Sequence, residues 1–183
     1  LICWRVAALD PTPPGRARTG LLWFPRELQG EGRHDNPELY GCLYASEEPV
    51  SAVAESLAPF RGAGALDPSM LRRGGSPLYL GKITLPDETV ILDLDDPQVL
   101  GREALRPSRV ATRRRSVTQV QAARLHQAHP AAGALRWWST IESTLINLTL
   151  FDRVQESLII AESRELSVDD SEVLAACELL GLA

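Results

Sequence analysis

The chain has 183 residues and a mass of 20.0 kDa, which is one domain of ordinary size with enough surface to bury its own core. Its 44% hydrophobic and 23% charged residues and mean hydropathy of −0.09 exclude a disordered or fibrous chain. No apolar run approaches the roughly 18 residues of a membrane span. The net charge of −5 and pI near 5.3 argue against broad, nonspecific binding to nucleic acid or anionic lipid.

That net charge is a cancellation. Residues 1–101 carry nine basic and fourteen acidic side chains, residues 102–136 carry eight Arg against Glu103 alone, and residues 142–183 carry two Arg against nine acids. Lys82 is the single lysine, so nearly all positive charge is guanidinium, the group that grips phosphate bidentately. Cys3, Cys42 and Cys177 are odd in number and far apart, which reads as buried reduced thiols of a cytoplasmic protein rather than a disulfide framework or zinc site. The sequence begins in a strand-like segment with neither an initiator Met nor a basic-then-apolar leader, and reads as a trimmed or ordered piece.

In chain order, the alternation over residues 2–7 predicts a strand, broken by the Pro-rich turn at 10–15. Residues 16–38 hold no period beyond a short apolar run at 21–24 and read as a loop, where function concentrates. A strand at 41–45 passes through Ser46, a candidate cap, into a helix that opens on Pro49 with Val50, Val53, Ala54 and Leu57 on one stripe. Glu55 lies beside that stripe, where a carboxylate reaches the boundary between core and cleft. The glycine-rich stretch 61–76 reads as a connector, followed by strands at 78–85 and 89–94 around the turn Pro86-Asp87-Glu88. A helix is predicted over 118–126 with Arg113-Arg114-Arg115 before it, then strands at 134–138, 145–150 and 157–161, and a terminal amphipathic helix from Ser167. The pattern lacks a strict βαβ rhythm and favours a single α+β domain over residues 1–183.

Several motifs are absent. The sole lysine sits outside any phosphate-binding Gly-rich loop, and the Gly-x-Gly fragments at Gly30 and Gly62 lack a third glycine, so neither a P-loop nor a Rossmann fingerprint is present. His126 and His129 lack a third ligand at metal-site spacing and read as a solvated helix end. The arginine triplet reads either as a solvated helix approach or as a phosphate contact, and Trp137-Trp138 as one core ring and one surface ring.

Three ordered segments resemble one family. They are Gly32-Arg33-His34-Asp35-Asn36-Pro37 with Leu43-Tyr44-Ala45-Ser46, then Pro49-Val50-Ser51-Ala52-Val53-Ala54-Glu55, then Gly133-Ala134-Leu135-Arg136-Trp137-Trp138-Ser139 leading to Leu148-Thr149-Leu150-Phe151-Asp152. The set resembles the RES domain, the toxin arm of RES–Xre bacterial toxin–antitoxin pairs, with further support from Cys3-Trp4-Arg5-Val6. The resemblance implies a mixed, largely antiparallel sheet flanked by helices, similar to ADP-ribosyltransferases, and an activity that degrades NAD+ to nicotinamide with phosphate or water as acceptor. The family's Arg falls on Arg33, its Tyr on Tyr44, its Glu on Glu55 and its Ser on Ser139, and Arg5 matches a further basic position. Where the family commonly has an aromatic residue and then Asn after the Arg, this chain has His34 and Asp35 before Asn36.

The residue types suit that chemistry. Breaking the nicotinamide–ribose bond develops an oxocarbenium-like sugar, which a carboxylate such as Glu55 stabilises more in the transition state than in the ground state. Arg33 can supply a planar bidentate donor to a diphosphate or an incoming phosphate. Tyr44 can stack on nicotinamide or orient its ribose, and Ser139 can hydrogen-bond a ribose hydroxyl or the amide. The resemblance thus makes Arg33, Glu55 and Ser139 the expected catalytic residues and Tyr44, Arg5 and Arg33 the substrate-binding ones, with no resident cofactor or metal. NAD+ is then the substrate and phosphate a candidate co-substrate. The implied partner is an Xre-type antitoxin, with either a homo-oligomer or a toxin–antitoxin hetero-oligomer as the assembly and no contact with nucleic acid or membrane. Two other readings of the same residues are ADP-ribosyl transfer to a protein and noncatalytic NAD binding.

Overall fold

The computed structural model describes residues 1–9 and 15–182, so most of the turn expected at 10–15 lies outside the described residues. Eight strands form one sheet: β1 (Ile2–Ala8), β2 (Cys42–Ser46), β3 (Arg72–Arg73), β4 (Ser76–Thr84), β5 (Val90–Asp93), β6 (Ala132–Trp138), β7 (Ile146–Phe151) and β8 (Ile159–Glu165). Their order is β3-β4-β1-β2-β7-β6-β5, with β8 also paired to β4. Only the β5–β6 pair is parallel, so the sheet is mixed and largely antiparallel. Five helices, α1 (Pro49–Leu57), α2 (Pro97–Arg102), α3 (Pro107–Val110), α4 (Arg115–Ala128) and α5 (Ser171–Leu180), complete a single α+β domain. No helix of the described residues is long and apolar enough to cross a membrane.

The sheet is nearly divided at its centre. β1 pairs with β4 over seven residues and β2 with β7 over five, yet β1 and β2 share the single pair Trp4↔Ser46. Beyond it the strands splay, and the opening is where the cleft forms. Three apolar clusters hold the parts together. Val53, Ala54 and Leu57 of α1 and Val173, Ala176 and Leu180 of α5 pack on Leu78 and Leu80 of β4. Ala122 and Leu125 of α4 pack on Leu92, Leu135 and Phe151. Leu22 and Phe24 of the irregular 15–41 segment pack with Cys3, Leu43, Ile83 and Leu148. The apolar run at 21–24 is thus core without being a strand, and Gly81 permits it: a Cβ there would stand 2.6 Å from the Leu21 side chain.

Several features differ from the sequence expectations. Ser46 is not the cap of α1. It ends β2, buried, while Glu48 takes the cap position without a side-chain bond and Pro49 opens the helix. The connector at 61–76 contains a 3-10 turn at Pro68–Leu71 and β3. The strands flanking Pro86-Asp87-Glu88 do not pair with each other: β4 lies on one side of the sheet and β5 forms its opposite edge beside β6. The last helix begins at Ser171 rather than Ser167, behind Asp170, and ends on Gly181 in the left-handed region at φ 67°, where Leu182 N–H reaches Cys177 O. The short helices α2 and α3 and the first turn of α4 were not expected. Both histidines at the end of α4 are engaged: His126 packs against the Tyr40 and Phe151 rings, and His129 Nε2 lies 2.9 Å from the buried Glu103 carboxylate.

Candidate functional site

A cleft of about 330 Å³ sits where β1 and β2 part, walled by the Arg33 loop, α1, the start of α4, and strands β6 and β7. It brings together Arg5, Arg33, Tyr44 and Glu55, and adds Arg115. Three guanidiniums thus face one carboxylate among its lining groups, an arrangement suited to an anionic ligand.

The Arg33 loop is braced from within by Asp35. Its Oδ2 accepts from the N–H groups of Gly30 and Gly32 at 2.9 and 2.7 Å, and its Oδ1 accepts from Tyr44 Oη at 2.7 Å and Cys42 Sγ at 3.4 Å. Burial raises the Asp35 pKa, but these donors outweigh it and hold the carboxyl below its usual range. Tyr44 Oη in turn accepts from His34 N–H at 2.8 Å. Gly32 is required by this packing, because a Cβ would collide with the Asp35 carboxylate and Tyr44 hydroxyl. From α4, Gln119 Nε2 donates to the carbonyls of Gly30 and Gly32, and Thr118 Oγ1 donates to Arg33 O. His34 and Asp35, the departures from the family pattern, are therefore the residues that shape the loop.

Arg33 itself is 5% exposed. Its Nη1 donates to the carbonyls of Val110 and Thr112 at 2.8 and 3.0 Å, and its guanidinium lies 4.7 Å from the centroid of the Trp137 ring. Burial, reinforced by the charge of Arg115, lowers its pKa to about 10, so it remains a cation with its other N–H groups left for a ligand. Burial, then the neighbouring Cys42 and Asp35, push the Tyr44 phenol well above its ordinary range and keep it a neutral donor.

Glu55 stands on α1 with Oε1 accepting from Ser139 Oγ at 2.6 Å and Asn147 Nδ2 at 2.7 Å. Asn147 is held this way round because the Glu55 carboxylate can only accept, while its Oδ1 takes the hydroxyls of Ser46 and Ser51 at 2.7 and 3.1 Å. Ser139 Oγ also accepts from Ile141 N–H. Ser139 is buried behind Glu55, with its one proton committed to that carboxylate, and does not line the cleft. Oε2 of Glu55 accepts nothing from the described residues and is left for the cleft.

Arg5 occupies the opening between β1 and β2. Its buried Nη1 has no hydrogen-bond partner among the described residues. Burial lowers its pKa to about 10, so it stays charged at neutral pH without an ion pair among the described residues.

Three site residues were not singled out from the sequence. Asn147 had a signal, a polar residue in the otherwise apolar strand Ile146–Phe151. Arg115 was hidden in its triplet: all three arginines are exposed, and Arg115, the first residue of α4, alone lines the cleft. Trp4 joins the cleft wall from β1. Of the tryptophan pair, Trp137 is buried and donates to Thr149 Oγ1 at 3.0 Å, while Trp138 is half-buried.

The site makes stability pH-dependent. His34 is buried, and burial with the charges of Arg33 and Arg115 lowers its pKa well below 6.5. The folded chain keeps it neutral and the unfolded chain protonates it below about pH 6.5, so stability falls as pH falls from there, by at most about 1.4 kcal/mol per pH unit for each excluded proton. His126 shifts in the same direction through burial first and Arg153 second. Thermal melts should give a lower midpoint at pH 5.5 than at pH 7.5, with a shallower difference in His34→Gln. Equal midpoints in the wild type would contradict this assignment.

The RES domain family model matches residues 2–169. No curated protein matches the sequence. Among solved structures, one similar in fold is the crystal structure of the M. tuberculosis MbcT–MbcA toxin–antitoxin complex, at a TM-score of 0.66 and 18% identity over 98% of this chain and 88% of that one. A family match over nearly the whole length, on a fold that assembles the motif residues around one cleft, establishes that the chain belongs to the RES domain family.

Proposed function

We propose that this protein is the toxin of a toxin–antitoxin pair and acts by degrading NAD+ in the cytoplasm, cleaving the bond between nicotinamide and ribose. The observation that carries the reading is Glu55, fixed by Ser139 and Asn147 in a cleft whose other charged lining residues are Arg5, Arg33 and Arg115. When the C1′–N bond breaks, its electron pair leaves with nicotinamide as a neutral molecule and positive charge develops on the ribose. Glu55 stabilises that charge. Arg33 and Arg115 hold the diphosphate, and Tyr44 orients the nicotinamide ribose. An acceptor oxygen then attacks C1′: water yields ADP-ribose and a proton, and phosphate yields ADP-ribose 1″-phosphate.

An antitoxin partner, of the Xre type on family grounds, would silence the activity by covering the cleft. The presence of a similar fold in the MbcT–MbcA complex supports such a partner. The test is mass spectrometry of NAD+ incubated with the protein, with and without phosphate. Nicotinamide with ADP-ribose 1″-phosphate, or with ADP-ribose, supports phosphorolysis or hydrolysis respectively. Labelled ADP-ribose on a macromolecule replaces the acceptor with a protein, and tight NAD+ binding without products reduces the site to a binding module.

A further inference from the structure

A second cavity, of about 260 Å³, shares Arg5, Val6 and Tyr44 with the first and does not reach Glu55. The two meet where β1 and β2 splay beyond Trp4↔Ser46, and Arg5 is the residue at the junction. The second cavity is walled by Pro25, Leu28, Gln29 and Glu31 of the irregular segment and by Cys42 and Leu43 of β2.

Its groups differ in what they have left to offer. Gln29 is spent on the backbone of Cys42, donating to its carbonyl and accepting from its N–H, and so serves as fixed wall. Asp35 is spent on the Arg33 loop. Leu28 is 64% exposed and gives the cavity rim an apolar surface, with Pro25 adjoining it. Glu31 is exposed and has no ion pair among the described residues. The free chemistry is therefore a buried, unpartnered guanidinium at the waist, an apolar rim, and an uncommitted carboxylate.

We infer that the two cavities form one elongated dinucleotide site, with the second cavity holding the nucleoside distal to the bond that Glu55 addresses. This rests on the dinucleotide reading of the cleft. Arg5 completes its hydrogen bonding on the diphosphate between the two halves, where a guanidinium matches phosphate oxygens bidentately. The distal base lies against Leu28 and Pro25, withdrawing that apolar surface from water. Glu31 accepts from the distal ribose hydroxyls, as an acidic side chain does in other dinucleotide sites. The second cavity thereby sets specificity for a dinucleotide over a mononucleotide, with residues that take no part in bond cleavage.

The experiment titrates the full chain with ADP-ribose by calorimetry, in wild type, Leu28→Asp and Glu31→Gln. Both substitutions are at exposed positions, and circular dichroism melts confirm folding. Leu28→Asp should weaken ADP-ribose by about tenfold or more and Glu31→Gln by about threefold. Steady-state assays should show the loss for NAD+ in KM, with kcat within about twofold. Nicotinamide mononucleotide, which lacks the distal half, should be affected little by either change. Wild-type affinity for ADP-ribose in both variants, or no ADP-ribose binding by wild type, would overturn the inference. A wild type that binds ADP-ribose, loses it on Leu28→Asp and never cleaves NAD+ would support the two-cavity site and sink the cleavage reading instead.

Discussion

Glu55→Gln should lower the turnover of NAD+ by about 10²–10³-fold and leave the fold intact. The substitution is nearly isosteric, and a Gln carbonyl oxygen still accepts from Ser139 Oγ and Asn147 Nδ2, so the side chain keeps its place. What disappears is the negative charge beside the ribose. Before cleavage the positive charge resides on the nicotinamide ring. During cleavage the charge moves onto the sugar, next to Glu55, so its removal acts on the transition state. The expected signature is a fall in kcat with ADP-ribose affinity within about threefold of wild type, read from initial rates and calorimetry. A variant that retains a third of wild-type kcat would remove Glu55 from the chemistry.

Asp35→Ala should cost about 3 kcal/mol of stability, a drop of roughly 6–12 °C in melting temperature for a domain of this size. The carboxylate is the common acceptor for two backbone N–H groups, a phenol and a thiol. Its removal strands those donors in a buried loop, which costs more than the loss of any one hydrogen bond. The effect reaches function through Arg33, whose carbonyl and side chain are held only while the loop follows this path. Asp35→Asn keeps the shape but gives one of the two sides of the carboxyl an N–H facing other donors, so it should fall between wild type and Ala. Circular dichroism melts of the three proteins at neutral pH check the order. An Asp35→Ala midpoint within about 2 °C of wild type would show that the loop is braced by α4 instead.

Much of the fold is local enough to read from the chain. Alternation marks β1, short apolar runs mark β2 and β6, and the stripe through Val50, Val53, Ala54 and Leu57 places α1 and leaves Glu55 at its border. The partnership of the strands is a different matter. Nothing in Pro86-Asp87-Glu88 says that β4 and β5 belong to opposite sides of the sheet. That separation follows from the Leu92 contact with the α4 cluster, which closes only in three dimensions. The helices α2 and α3, six and four residues long, are too short to show a period, although Asp96-Pro97 carried a cap signal that Asp96 fulfils on Gln98 N–H.

The site divides in the same way. Arg33, Tyr44 and Glu55 were legible because an ordered family pattern fixes each by its neighbours, and the structure gathers them around one cleft. The part played by Ser139 was not, since only the folded chain shows its hydroxyl aimed at Glu55 and its side chain buried. Arg115 could not be told from Arg113 and Arg114 until α4 was seen to start at it. The orphaned Nη1 of Arg5 depends on the splay of β1 from β2, a property of strand pairing that no stretch of sequence displays.

The charge asymmetry of the sequence now has a partial location. Arg33, Arg115 and Arg5 turn toward the cleft, while Arg136 is consumed in a structural cluster with Glu47 and Asp93 at 2.7 and 3.0 Å. Abundance of arginine alone therefore did not mark the ligand site; the burial of Arg33 and of Arg5 Nη1 without an ion pair among the described residues did. Cleavage of the nicotinamide–ribose bond in this cleft, as proposed, is read by proton NMR of NAD+ with a catalytic quantity of the wild-type protein. Free nicotinamide resonances should grow with time as those of NAD+ decline, and the spectrum should stay nearly static with Glu55→Gln. Intact NAD+ after prolonged incubation with folded wild-type protein, in phosphate and in phosphate-free buffer alike, would contradict it.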